Sequence, residues 1–399
     1  MSILMANIIK ICEVCDNKKL LNVLDLGDHP LCDDLLEIGS KRDCVEYPIK
    51  IAFCEKCFTA HQIYQVTKQT LFSENYHYRA RMTGSVLAGM LDLVNSCEKN
   101  IGNLKRKTVL DIGCNDGSLL NFFKDKGCNT IGVEPTKAAQ DSEHLTLNKF
   151  FDITAVKEII QKSGYPDIIT FTNVFAHIED LPTLIDNLKQ LIKNETVLVI
   201  ENHYLGAVLK TGQFDTFYHE HPRTYSFESF KYIAKSLNLN IQNVQFVSRY
   251  GGNIRVFLGQ GEPTKILVDE SEFGNLFVKM NDDIKVWIDS TTKKINNLVR
   301  KYGPLRAKAF PGRAAILVKL LNLNENQISA VYEIKGSIKT YHYVPGTKIP
   351  ILPEEELYLK KNLNLPIINL AWHLPNEVRA NLKSNRYSGE VIDIKDMLF

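Results

Sequence analysis

The stretch Val109-Leu-Asp-Ile-Gly-Cys-Asn-Asp-Gly-Ser-Leu-Leu120 decides the fold. Thr108 to Leu110 reads as a buried parallel strand. It ends at Asp111 and a turn holding Gly113 and Gly117, after which Leu119, Leu120, Phe122 and Phe123 take helical spacing. A strand, a glycine turn and a helix N-terminus bring bare backbone N–H groups to the place where a cofactor presents its polar groups. Glu134 closes the next apolar run, Thr130-Ile-Gly-Val133, and an acid there can grip a ribose hydroxyl pair. Asn115 stands where a dinucleotide fingerprint needs glycine. That argues against a pyrophosphate on the turn and for a nucleoside cofactor without phosphates, S-adenosylmethionine (SAM).

Working outward, further strands are expected at 130–134, 167–172 and 196–201, with helical patterns between them such as 181–192. This alternation predicts an open, mostly parallel sheet. A helix at 228–237 and strands at 243–248 and 253–259 form its antiparallel finish. Before it, Met82, Val86, Met90, Leu93 and Val94 outline a helix within 75–100. After it, Phe277 to Leu298 reads as a long charged amphipathic helix, followed by a second α/β alternation with strands near 328–333 and 366–370 and a helix near 314–321. The fold class is therefore α/β in three parts: a small, loop-rich N-terminal domain (1–72), a central Rossmann-like domain carrying the SAM turn (73–272) and a C-terminal α/β domain (273–399).

The composition is that of a globular protein, 44% hydrophobic and 24% charged. A net charge of +2 makes no electrostatic case for nucleic acid or an anionic membrane. No apolar run is long enough to span a bilayer, and the first residues lack a signal-peptide pattern, so the cytoplasm is the expected location.

Cys12-x-x-Cys15 and Cys54-x-x-Cys57 form two knuckles, each able to aim two sulfurs at one metal. Four thiolates make a closed tetrahedral Zn²⁺ site, and with no open coordination position its role is structural. The gap between the pairs requires an insertion that loops out, and Cys32 and Cys44 within it are possible substitutes. Cys97, Cys114 and Cys128 read as small apolar fillers.

Past the fourth strand comes Glu201-Asn-His-Tyr204, then Phe214-Asp-Thr-Phe-Tyr-His-Glu-His221. Tyr218, His219, Glu220 and His221 crowd a loop near the carboxyl edge of the sheet, where ligands bind. A histidine there can remove a proton near neutral pH, a glutamate can orient it, and a tyrosine hydroxyl can donate to a developing oxyanion. His177 follows the third strand and is expected at the same cleft. Gly251-Gly252-Asn253-Ile-Arg255 suits a tight turn, with Arg255 a candidate phosphate holder.

Taken together, these motifs resemble the three-domain SAM-dependent sugar C-methyltransferases that act on nucleotide-linked deoxysugars. The resemblance runs through Cys12, Cys15, Val23-Leu-Asp-Leu-Gly27, Cys54 and Cys57, then Tyr76-His-Tyr78, Gly113 to Leu120, and Asn173-Val-Phe-Ala-His-Ile178. Its most specific part is Phe214 to His221 with Gly251 to Arg255. Pro345-Gly-Thr-Lys-Ile-Pro-Ile351 and Leu370-Ala-Trp-His373 continue it to the C-terminal domain. It implies that a keto sugar is deprotonated beside its ketone and that the enolate takes the SAM methyl group. His221 would be the base, Glu220 its neighbour, Tyr218 and Tyr76 or Tyr78 the contacts to the sugar or its ketone oxygen, and His177 a wall of the pocket. SAM would lie among Asp111, Gly113, Asn115, Asp116, Gly117, Glu134 and Asn173.

The C-terminal domain departs from the family pattern at Ala309-Phe-Pro-Gly-Arg-Ala314 and at Tyr341. Sugar and nucleotide are therefore left open, with Arg313, Lys339 and Lys348 as candidate phosphate partners. O- or N-methylation of a surface-polysaccharide sugar precursor and a non-catalytic SAM-binding scaffold are the competing expectations.

Overall fold

The computed structural model describes residues 6–72, 79–359 and 363–395. The chain forms two compact units, one of residues 1–22, 52–208 and 220–274, the other of residues 23–51, 209–219 and 275–399. Tyr76 and Tyr78 lie outside the described residues.

The first unit is built on a seven-stranded sheet. In chain order its strands are β1 (Thr108–Ile112), β2 (Asn129–Val133), β3 (Leu145–Leu147), β4 (Ile168–Thr172), β5 (Val197–His203), β6 (Asn240–Val247) and β7 (Asn253–Gly259). The spatial order is β6-β7-β5-β4-β1-β2-β3. The pairs from β5 through β3 are parallel, and β7 is antiparallel to both β5 and β6. Strands buried on both faces read as continuous apolar runs, which is why β1, β4 and β5 were legible.

Helix α1 (Gly84–Ile101) buries Val86, Met90, Leu93 and Val94, and α2 (Ser118–Asp125) buries Leu119, Leu120 and Phe123 in the same core as Val109 of β1. Met82, expected on the buried face of α1, instead sits in a 3₁₀ turn before it and is exposed. The helix α3 (Ile153–Ser163) is capped by Asp152, whose carboxylate accepts from the N–H groups of Thr154 and Ala155. Asp180 caps α4 (Leu181–Leu191) in the same way through Thr183, and Ser226 and Ser229 close a reciprocal box on α5 (Phe227–Ser236). At the start of the unit, Ala6–Ile8 pairs antiparallel with Tyr64–Val66, and Thr59–Gln62 pairs with Arg223–Thr224.

The second unit has its own seven-stranded sheet. Its order is Val391–Asp393, Ile367–Asn369, Leu305–Lys308, Ile328–Glu333, Pro350–Pro353, His342–Tyr343 and Leu36–Glu37, the first five mutually parallel. The long helix Phe273–Tyr302 brings Trp287, fully buried, whose indole N–H donates to the Ile394 carbonyl at 2.9 Å. Within the insertion between the cysteine pairs, Val23–Ile51 belongs to this unit, and Leu36–Glu37 pairs antiparallel with His342–Tyr343.

Candidate active site

The glycine turn needs left-handed backbone at three places: Gly113 (φ +74°), Asn115 (φ +50°) and Gly117 (φ +78°). Glycine takes this freely and asparagine tolerates it. A Cβ on Gly113 would stand 2.6 Å from both Val174 methyl groups, so the turn and the β4 loop close tightly on each other. Glu134 organises the turn: one oxygen accepts the Asn115 N–H at 3.0 Å, the other the Thr136 N–H and hydroxyl at 2.9 and 2.7 Å. A carboxylate offers about four acceptor sites, so one stays open to a hydroxyl. Asn115 and Asp116 hold the entry to α1, their side-chain oxygens accepting from the N–H groups of Ala80 and Arg81 at 3.0 Å each. Asp111 is buried and accepts the Thr170 hydroxyl at 2.7 Å. Burial pushes its carboxyl up to about 7, the Thr170 hydrogen bond opposes this and the nearby Glu134 adds to it.

Asn173 follows β4 at φ +55°; its N–H donates to the Glu201 carbonyl, and its side-chain oxygen accepts from Asn253 at 3.0 Å. Glu201 is the hub here. It is fully buried and takes Arg255 Nε at 2.7 Å, Arg249 at 3.2 Å and Asn253 at 3.2 Å. Arg255 also reaches Asp92 at 2.8 Å and Gln245 at 3.1 Å, so it is an internal ion-pair partner rather than a phosphate holder. Gly252 (φ +124°) lies where a Cβ would meet Ala207 at 2.4 Å, and Gly251 also takes left-handed backbone at φ +84°.

Three histidines converge at the carboxyl ends of β4 and β5. The rings of His177 and His221 are 4.8 Å apart, those of His221 and His203 5.2 Å, and Tyr250 lies 5.8 Å from His203. Phe72 packs on His177 at 5.4 Å, and a Glu220 carboxylate oxygen is 4.0 Å from His177 Nδ1. Burial pushes the His177 imidazole down to about 4, which keeps it neutral at physiological pH. Sequence patterns alone assign His203 and Tyr250 no role. His203 is the last residue of β5, at the carboxyl end of a parallel strand where ligands bind, and that position is the signal that marks it, whereas Tyr250 owes its place to an unusual φ of +53°.

The Tyr-His-Glu-His run divides: Glu220 and His221 belong to the first unit, Tyr218 and His219 to the second. His219 shares a hydrogen bond of 3.0 Å with the Tyr47 carbonyl, and burial pushes it down to about 4. In that second unit the candidate phosphate partners are already engaged. Arg313 forks onto Asp215 at 2.8 and 2.9 Å, Lys339 donates to the Phe310 carbonyl at 2.9 Å, and Lys348 reaches the Ser40 carbonyl at 3.3 Å.

The metal-ligand sulfurs of Cys12, Cys15, Cys54 and Cys57 all lie within 4.8 Å of one another, with Cys12–Cys57 at 3.4 Å and Cys15–Cys54 at 3.6 Å. Zn–S bonds of about 2.3 Å in a tetrahedron require sulfurs about 3.8 Å apart, so the four residues fit Zn²⁺. Hydrogen bonding among these close sulfurs pulls the Cys54 thiol far down and pushes Cys12 and Cys57 far up. Cys32 and Cys44 belong to the other unit and stand outside this cluster, and Cys97, Cys114 and Cys128 are buried in the sheet's core.

A mostly parallel sheet with a glycine turn after β1 and an acid after β2 defines the class: a Rossmann-like, SAM-dependent methyltransferase. Three family models match in succession: a zinc binding domain over residues 12–72, a methyltransferase domain over 78–244 and a C-methyltransferase C-terminal domain over 250–392. The C-methyltransferase NovU of Streptomyces niveus is 25% identical over 391 residues, covering 93% of this chain and 92% of that protein. The chain belongs to the three-domain SAM-dependent C-methyltransferases and is an enzyme of that kind, not a scaffold. A ubiquinone biosynthesis O-methyltransferase of Rhodopseudomonas palustris is 28% identical over 109 residues, 26% of this chain and 42% of that protein. A solved SAM-dependent methyltransferase from Archaeoglobus fulgidus, 19% identical, covers 42% of this chain and 93% of its own at a TM-score of 0.35, too distant to carry weight. No helix among the described residues is long and apolar enough to cross a membrane.

Proposed function

We propose that the enzyme C-methylates a keto nucleotide-linked deoxysugar at the carbon beside its ketone, with His221 as the base that generates the enolate. The observation that carries this reading is the His177–His203–His221 cluster with Glu220, set at the strand ends that also hold the glycine turn. An α-proton needs a base within hydrogen-bond reach, a partner for the oxyanion and a cleft that excludes water. His221, 4% exposed, is the base. His177, held neutral, and Glu220 orient it, and Tyr218 with Tyr76 or Tyr78 donates to the ketone oxygen. SAM, when bound among Asp111, Gly113, Asn115, Asp116, Gly117, Glu134 and Asn173, supplies the electrophilic methyl group.

We take the three modules to be residues 1–72, 73–272 and 273–399, and the site of action to be the cytoplasm, where nine cysteines without a disulfide are at home. The sugar nucleotide is the small-molecule partner. Incubating the protein with SAM and a panel of nucleotide keto sugars should yield S-adenosylhomocysteine. Turnover with hydroxyl acceptors alone would replace C-methylation by O-methylation.

A further inference from the structure

Arg223 lies two residues after His221 and is fully buried. Every arm of its guanidinium is engaged. Nε donates to the Tyr225 hydroxyl at 3.0 Å, and one terminal nitrogen donates to Glu13 at 2.7 Å and to the Glu179 carbonyl at 3.3 Å. The other donates to the carbonyls of Ile178 and Glu179. Those two carbonyls follow His177 directly, where its 3₁₀ turn ends and leaves acceptors without helical donors. The Arg223 backbone in turn pairs with His61. One residue thus holds His177 through its side chain and His221 through the chain.

The counter-ion comes from the cysteine knuckle. Glu13 sits between Cys12 and Cys15, accepts the Gln65 amide at 2.7 Å and lies 3.5 Å from His61 Nδ1. His61 Nε2 is 3.3 Å from Cys12 Sγ. Glu179 is fixed a second time, its carboxylate accepting from Asn7 at 3.1 Å and from the Lys68 N–H at 3.3 Å. The contacts run unbroken from the cysteine sulfurs through His61, Glu13 and Arg223 to the turn that carries His177.

We propose that Arg223 is a positioning residue that sets the spacing of His177 and His221, with Glu13 as its counter-ion, so that the cysteine cluster acts on catalysis through this clamp. The proposal rests on the reading of His221 as the base. A planar five-donor fork makes the clamp specific for arginine, since one ammonium cannot reach Glu13 and two carbonyls in fixed geometry. Displacing a catalytic group by about 1 Å costs on the order of 100-fold in rate.

The test compares wild type, Arg223→Lys and Glu13→Gln, each checked for one zinc per chain and for SAM affinity. Arg223→Lys should lower kcat by about 100-fold and Glu13→Gln by about 10-fold, with the KM for SAM within about twofold. In ¹⁵N-histidine-labelled protein both variants should move the imidazole resonances of His177 and His221, assigned through His177→Gln and His221→Asn, and leave that of His144 in place. Should Arg223→Lys fail to fold, Glu13→Gln, which keeps an acceptor toward the guanidinium, gives the reading. Zinc-loaded variants with wild-type kcat and unmoved His177 and His221 resonances would overturn the clamp. If wild type fails to exchange a sugar α-proton, the base assignment fails, and the resonances still decide the clamp.

Discussion

Replacing Gly113 by alanine tests the glycine turn with a magnitude that can be worked out. The backbone there is left-handed, φ +74°, which costs a residue bearing a Cβ about 1–2 kcal/mol. The new methyl would also stand 2.6 Å from both Val174 methyl carbons, and such overpacking costs about 1–3 kcal/mol. The free chain can relieve both by opening the turn, whereas a turn closed on SAM cannot. The sum, about 2–5 kcal/mol, is therefore read as lost affinity of at least about 30-fold. Titration calorimetry with S-adenosylhomocysteine measures it, with circular dichroism confirming the fold. Val174→Ala in the Gly113→Ala background removes the two carbons at 2.6 Å and leaves only Cβ, at 3.1 Å. It should recover the packing share and leave about 1–2 kcal/mol, a 5- to 30-fold deficit. Binding by Gly113→Ala within about threefold of wild type, or no recovery in the double variant, would refute the reasoning.

Stability should depend on pH through three buried groups. His177 and His219 are each pushed from 6.5 to about 4 by burial, so their contribution is complete above pH 6.5 and is lost as pH falls toward 4; Asp111, raised to about 7, works in the opposite sense over that window. Urea unfolding between pH 4.5 and 6.5 should show His177→Gln flattening the slope by about 1.4 kcal/mol per pH unit and Asp111→Asn steepening it by as much; unchanged slopes would contradict the burial argument. Glu201→Ala removes the buried carboxylate shared by Arg255 and Arg249, leaving Arg255 only its outer partners Asp92 and Gln245, and should cost about 3–5 kcal/mol by the same assay, against less than about 1 if the pairs were exposed in solution. Chelation should remove one zinc per chain and lower Tm, and Cys54→Ser should do the same without chelator; an unchanged Tm would disprove a structural metal.

Much of this was legible because the signals are local. The runs that became β1, β4 and β5 are continuous and apolar, the cysteine knuckles are three-residue spacings, and the long helix expected from Phe277 to Leu298 forms as Phe273–Tyr302. What escaped is non-local or short. Leu145–Leu147, Pro350–Pro353 and Val391–Asp393 are too brief for periodicity to register. Arg255 looked like a phosphate ligand because its partners, Glu201 and Asp92, stand 54 and 163 residues away in sequence. Pairing of Leu36–Glu37 with His342–Tyr343 leaves no mark in either segment's pattern. His203 and Tyr250 joined the histidine cluster through the sheet's register, since β5 and β7 set His203 opposite Asn253, just past the glycine turn that carries Tyr250.

The central claim, that His221 takes the proton beside a sugar ketone, is tested most directly by isotope exchange. A nucleotide keto sugar that turns over with SAM is incubated in D₂O with wild type and with His221→Asn, and deuterium at the carbon beside the ketone is followed by NMR. The account predicts exchange with wild type and its loss in His221→Asn, which should still bind SAM. Exchange at the wild-type rate in His221→Asn would contradict it.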